Sequence, residues 1–348
     1  MARVSAGARL HFGFCNLSLS HERLYGALGL GLAEPRVVVD AEPAEGVTVE
    51  TSDGDDPTAD PAVYQADPAI HEADPAVRDD VREYARTAVD LLGVDGARVT
   101  VRASLPRHAG LGSGTQLAAA TLAAVAAAHG EEAGVRERAP ALGRGGRSGV
   151  GVATFEAGGF VLDAGHPTAR FTTDRPADGE WTVPPVAARH AVPADWRFLL
   201  VRPDADPGRN GDAEDDAMRT AVERADPGLA DRIGGIVTRR VLPSIATGNA
   251  ERFGAAVAEI GRLNGAWYAD EQGGVYRPPV GDVVASLSAS AAVFGAGQSS
   301  WGPTVYGITD AANADAAAAA GERALTEAGV AGSVAVVRAA DGGARVTE

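Results

Sequence analysis

Apolar and polar positions alternate from Val4 to Phe14, with Val4, Ala6, Ala8, Leu10 and Phe12 on one face and Ser5, Arg9 and His11 on the other. A period of two predicts a β-strand. Arg36 to Ala41, with VVV at its centre, and Val47 to Thr51 predict two more. Between the first two lies Arg23 to Leu32, an apolar segment punctuated by glycine. Further on, the pattern predicts a helix over Val77 to Leu92, a strand over Ala97 to Ser104 and an alanine-rich helix over Leu117 to Ala128. Val152 to Phe155 and Gly159 to Asp163 are expected to form two strands joined by a hairpin at Ala157 and Gly158. In the second half, Trp196 to Val201 predicts a strand. Helices follow at 229–242, 249–264 and 311–328, with a last strand over Gly332 to Arg338. Strands and helices alternating in each half define an α+β chain of two domains. The polar, Pro-containing stretch 167–185 is the expected connection, with a first domain over 1–185 and a second over 186–348.

Residues 52–80 break the pattern. They are acidic and Pro-rich, and contain ADPAVYQ, ADPAIHE and ADPAVRD at 59, 66 and 73. So few copies of so short a unit do not build a solenoid. The expectation is an expanded loop running into the next helix.

Composition adds three constraints. At 348 residues with 45% hydrophobic content, the chain can bury a sizeable core. The net charge is -16 and all 31 basic residues are Arg. That balance fits a halophilic surface and argues against nucleic-acid or anionic-membrane partners. The single cysteine, Cys15, sits in an apolar stretch and excludes an internal disulfide. No signal peptide or long apolar run is evident, so a cytoplasmic location is expected.

The chemistry concentrates between the strand ending at Ser104 and the helix from Leu117. There the chain reads Pro106-Arg-His-Ala-Gly-Leu-Gly-Ser-Gly-Thr-Gln116. A strand, a glycine-rich loop and a helix start form an anion cradle, because the first-turn N–H groups lack helical partners and the dipole favours negative charge. Gly110, Leu111, Gly112, Ser113, Gly114, Thr115 and Gln116 are the candidate phosphate contacts. Capping is the other role open to Ser113 and Thr115. No Lys follows the last glycine, so this is not a Walker A loop. Arg23, Arg144 and Arg147 are candidate anion clamps, since guanidinium forks match phosphate and carboxylate. Arg144 and Arg147 also suit an exposed glycine-rich loop. His11 fits a structural or a catalytic role. His108, Glu214 and Trp301 are lesser candidates, with Trp301 a wall for an aromatic ring beside Gln298 and Ser299.

Several segments in order resemble the GHMP kinase superfamily. Pro106 to Gln116 is similar to its phosphate loop and Gly295 to Gly307 to its C-terminal glycine motif. The closer resemblance is to the β-ribofuranosylaminobenzene 5'-phosphate synthases, through RLHFGF at 9, RLYGALGLGL at 23, GRGGRSG at 143, FVLDAG at 160 and QSSWGPTVY at 298. It implies a ribosomal-S5-like N-terminal domain and a ferredoxin-like C-terminal α/β sandwich. It implies a phosphoribosyltransferase that joins 4-aminobenzoate or 4-hydroxybenzoate to phosphoribosyl diphosphate, releasing CO2 and diphosphate, with Mg2+. Asn16, Arg23 and His11 become the catalytic candidates, and Gln298 and Ser299 join the ligand-binding set. Asn16 stands where those enzymes usually have Asp, and an amide is a weaker metal ligand and no base. An ATP-dependent small-molecule kinase and a catalytically lapsed ligand-binding paralogue are the alternatives. A homodimer is expected by analogy alone.

Overall fold

The structure, a computed structural model, describes residues 1–51, 75–174, 176–208 and 211–347. The acidic repeat lies mostly within 52–74, outside the described residues.

In the first half the elements are β1 (Ala2–Asn16), β2 (Arg23–Pro43), β3 (Gly46–Thr51), α1 (Pro75–Leu92), β4 (Gly96–Ala103) and α2 (Ser113–Ala128). They continue with α3 (Val150–Ala157), β5 (Phe160–Asp163), β6 (His166–Pro167) and β7 (Val186–His190). The alternation along β1 buries Val4, Ala6, Ala8, Leu10 and Phe12 as expected. The segment 23–32 and the strand at 36–41 form one continuous strand, β2, rather than two units. Residues 24–32 of it are buried throughout, because β1 and β5 pair with its two edges and the helices α2 and α3 pack over it. With the C-terminal strand β12 (Arg345–Thr347) at one edge, the sheet runs β12-β1-β2-β4-β3, with β5 and β6 on β2 and β7 on β5.

Val152 to Phe155 is a helix, not a strand. A short, wholly apolar run has no decisive period. Here β5 already occupies the edge of β2, and α3 packs over β2 and against α2 instead.

The second sheet is built from β8 (Trp196–Pro203), β9 (Gly295–Gln298), β10 (Val305–Asp310) and β11 (Gly332–Val337), antiparallel in the order β11-β8-β10-β9. Its helices are α4 (Gly211–Arg224), α5 (Pro227–Ile236), α6 (Ala250–Trp267), α7 (Val280–Ser288) and α8 (Ala314–Glu327). A π-helical turn at Val237–Val241 breaks what reads in sequence as one helix. The division at 185 does not follow the sheets: β7 and β12 (Arg345–Thr347) both belong to the first one.

Helix α6 is the joint between the halves. Asn249 caps it, accepting from the Arg252 N–H at 2.8 Å. Its buried stripe, Phe253, Ala256, Val257, Ile260, Gly261 and Asn264, has helical spacing. It packs on β1 as well as on β9 and β10. Phe12, Phe160, Trp196, Phe253 and Tyr306 form edge-to-face and tilted ring contacts across this joint. Asn264 closes it: its amide accepts from the Phe14 N–H at 2.7 Å and donates to the Phe14 carbonyl at 3.0 Å. The first strand is thereby held rigidly against the second half.

Candidate active site

The predicted phosphate loop runs from β4 into α2. Gly112 is the N-cap of α2 in the left-handed region, φ 77°, and offers no side-chain cap. The N–H groups of Ser113, Gly114 and Thr115 have no hydrogen-bond partner among the described residues, whereas Gln116 N–H already bonds the Gly112 carbonyl. Gly110, Gly112, Ser113, Gly114 and Thr115 line a cleft of about 310 Å³ between the two halves. Arg9, Asp80, Tyr84, Arg107, His108, Arg144, Glu214, Ser300 and Trp301 complete the residues that give it its chemistry.

Two predicted contacts turn inward instead. Leu111 is buried, and its carbonyl accepts from the Arg9 N–H at 3.0 Å. Gln116 is buried and donates to the Gly151 carbonyl at 2.9 Å. Both hold the loop rather than face the cleft.

Ser299, fully buried, is the pin under the loop. Its hydroxyl donates to the Gly110 carbonyl at 2.6 Å and accepts from the His11 N–H at 3.1 Å. Thr304 N–H bonds the Ala109 carbonyl at 3.2 Å and Ser300 N–H the His11 carbonyl at 3.2 Å. The β9–β10 turn thus fastens the phosphate loop and β1 in a single unit.

Arg9 is a cleft residue that motif reading passed over. Its stem lies under Gly112 and one guanidinium nitrogen donates to the Gly110 carbonyl at 3.1 Å. Burial pushes its pKa down to about 10, opposed by the carboxylate of Glu214. No ion pair to Arg9 occurs among the described residues. A desolvated cation held by a carbonyl but by no ion pair, beside a row of free helix-start N–H groups, is costly until an anion arrives. The available signal was its place in the polar register of β1, two positions before His11.

Arg144 lines the cleft, stacks 5.3 Å over the Tyr84 ring and donates to the Tyr84 hydroxyl. Arg147 does not line it. Glu214, at 3.0 Å, and Asp215 hold it instead, and these acidic neighbours raise its pKa against its burial.

The three catalytic candidates are not brought together at the loop. Asn16 is buried in the β1–β2 turn, where Nδ2 donates to the Ser18 and Arg23 carbonyls, each at 2.8 Å, and Oδ1 accepts from the Ser18 N–H at 2.7 Å. A carboxylate cannot make those two donations. Arg23 is exposed and reaches the carbonyls of Ala164 at 2.5 Å and Gly165 at 2.6 Å. Neither residue lines the cleft. His11 is buried in an adjoining chamber together with Gln298, and burial with nearby Arg9 pushes its pKa down to about 3. It is therefore neutral at working pH. Cys15 is only partly buried, but its desolvated surroundings push the thiol up to about 12, so no thiolate nucleophile is at hand.

Among the described residues, Asp163 carries the one strongly raised carboxyl. Burial lifts it from 3.8 to about 6, although the Gly165 and Gly149 N–H groups both bond to it at 2.8 Å. The folded value exceeds the unfolded one, so the associated stability is complete below about pH 4 and is lost as the pH rises through about 6. The melting temperature of Asp163→Asn minus that of the native chain is expected to climb between pH 4 and pH 7, by up to roughly 4 °C. A difference that stays flat over that range would contradict the raised value.

The fold and the loop define the class. Residues 79–159 match the GHMP kinases N terminal domain and residues 241–327 the GHMP kinases C terminal domain. The solved homoserine kinase of Cytophaga hutchinsonii superposes with a TM-score of 0.62 over 99% of this chain and 97% of its own, at 17% identity. Streptococcus pneumoniae phosphomevalonate kinase superposes with a TM-score of 0.64 over 97% of this chain and 100% of its own, at 13% identity. This is the two-domain GHMP kinase fold.

Within that class, the β-ribofuranosylphenol 5'-phosphate synthase of Methanothermobacter thermautotrophicus is 34% identical over 92% of both chains. The synthase of the same name from Methanocaldococcus jannaschii is 26% identical over 88% of this chain and 89% of its own. The chain belongs to the β-ribofuranosylphenol 5'-phosphate synthase family. Among the described residues, no helix is long and apolar enough to cross a membrane.

Proposed function

We propose that this protein is a pentosyltransferase that joins 4-hydroxybenzoate to phosphoribosyl diphosphate, a step in methanopterin-type cofactor synthesis. The observation that carries this reading is the 34% identity over 92% of both chains to a β-ribofuranosylphenol 5'-phosphate synthase. The phenol in that name favours 4-hydroxybenzoate over 4-aminobenzoate as acceptor. The site chemistry agrees. The bond from ribose C1 to the diphosphate oxygen breaks, and the ring carbon bearing the carboxylate bonds to C1. The carboxylate then leaves as CO2, its electron pair restoring the aromatic ring.

Diphosphate departure leaves negative charge that must be met in place. The free N–H groups at Ser113, Gly114 and Thr115, with Arg9 and Arg144, supply that field. Mg2+ fits the same cleft, since it needs one or two carboxylates beside substrate phosphates. Asp80, paired with Arg107 at 3.0 Å, and Glu214, paired with Arg147 at 3.0 Å, face the cleft with Ser113 and Thr115 and would hold it by giving up part of those pairings. The ion would supply further charge neutralisation on the leaving group.

The ATP-dependent kinase reading fits less well, because relatives covering nearly the whole chain are synthases. Purified protein in molar KCl with Mg2+ is expected to release CO2 and diphosphate in equal amounts, only with both substrates present. EDTA is expected to stop it. ADP formation from ATP and a small alcohol, with no CO2 in the first assay, would reject the synthase reading.

A further inference from the structure

We propose that the aromatic chamber beside the phosphate-loop cleft is the acceptor subsite, taking the leading edge and para-substituent of a 4-substituted benzoate. The proposal rests on the transferase reading above and adds where the acceptor sits and which residues select it.

The chamber lies between β1, α6 and the β9–β10 turn. Phe12, Phe14, Tyr268, Tyr276 and Trp301 give it aromatic walls, and His11 a polar edge. Ser300 and Trp301 line both this chamber and the phosphate cleft, so the two spaces meet there. Gly261 and Tyr276 line the chamber and not the cleft.

Size sets the orientation. The chamber encloses about 50 Å³. A void that admits a whole benzene ring is about 150 Å³. A benzoate therefore enters edge first, with its para group inside and its carboxylate-bearing carbon left in the cleft. That carbon is the one that must meet ribose C1.

Polarity sets the class of ligand. The Tyr276 hydroxyl is buried and has no hydrogen-bond partner among the described residues. Burial pushes its pKa up to about 12, and His11 is kept neutral. An uncharged end suits a neutral phenol or aniline group, while the carboxylate stays outside the chamber, in the cleft. An unpaired buried hydroxyl rewards a ligand that can hydrogen-bond to it and penalises one that cannot.

Two substitutions test this. A Cβ at Gly261 would stand 3.4 Å from the Tyr306 hydroxyl and 3.7 Å from that of Tyr276, so alanine fits without overlap. It also suits the interior of α6. Gly261→Ala is expected to raise the KM for 4-hydroxybenzoate roughly 10-fold, leave that for phosphoribosyl diphosphate within about twofold, and keep or raise the melting temperature. Tyr276→Phe is expected to weaken 4-hydroxybenzoate roughly 10-fold while leaving inhibition by unsubstituted benzoate unchanged.

If the native protein turns over and neither variant alters the KM for the acid, the subsite is wrong and the transferase reading stands. If the native protein does not turn over, that reading fails, and calorimetry with 4-hydroxybenzoate and inorganic diphosphate still decides the subsite. Binding that both variants weaken roughly 10-fold supports it, whereas equal binding or none overturns it.

Discussion

Replacing Arg9 with methionine is expected to lower kcat/KM for phosphoribosyl diphosphate by about 10²–10³-fold, the loss usual for a preorganised charge-stabilising donor. The KM for the aromatic acid should change little. Stability is the discriminating readout. Methionine keeps the stem volume under Gly112, and the guanidinium it replaces is desolvated and has no ion pair among the described residues. Removing a poorly compensated charge does not destabilise a fold, so the variant should melt at or above the native temperature. Arg9→Lys restores charge without the fork and is expected to recover only part of the loss. Unchanged kcat/KM in Arg9→Met, or a steep fall in melting temperature, would return Arg9 to a structural role.

The second large effect is expected at Gly110. Its φ is +84°, and an added Cβ would lie 2.2 Å from the Ser299 carbonyl oxygen. The overlap is backbone on side chain root, so no rotamer relieves it. The loop must leave the β9–β10 turn, breaking the Ser299 hydroxyl bond to Gly110 and disturbing the Arg9 contact with the same carbonyl. Gly110→Ala is expected to lose most activity and about 3 kcal/mol or more of stability. Gly130 provides the control. It has φ +71° with nothing within 4 Å of an added Cβ, so its alanine variant carries only backbone strain, about 1–2 kcal/mol. Scanning calorimetry and steady-state rates on the pair separate strain from collision. Equal losses at the two positions would rule out the collision.

The anion cradle was legible because its signal is local. Glycines, a preceding strand and a following helix all lie within a few residues, and backbone dihedrals set the shape. Arg9 and Asp80 were not legible as cleft residues, because they come from separate elements and meet the loop only through tertiary packing. Asn16 shows the reverse. It stood out by its departure from the usual Asp, yet the structure spends its amide on the Ser18 and Arg23 carbonyls. Val152 to Phe155 misled because an apolar run without a period does not say which neighbour will cover it.

By itself the amino-acid sequence determined the strand at 4–14, the amphipathic and alanine-rich helices, the glycine-rich loop at a helix start and the likeness to a synthase family. Each of these rests on short-range periodicity, turn chemistry or ordered motifs. Only the tertiary structure decided that β2 is continuous, that β7 and β12 return to the first sheet, and that Ser299 pins the loop from a distant turn. It also decided that an aromatic chamber opens beside the cleft. Those features arise from contacts between residues far apart in the chain, where burial and hydrogen-bond satisfaction, not local propensity, select the arrangement.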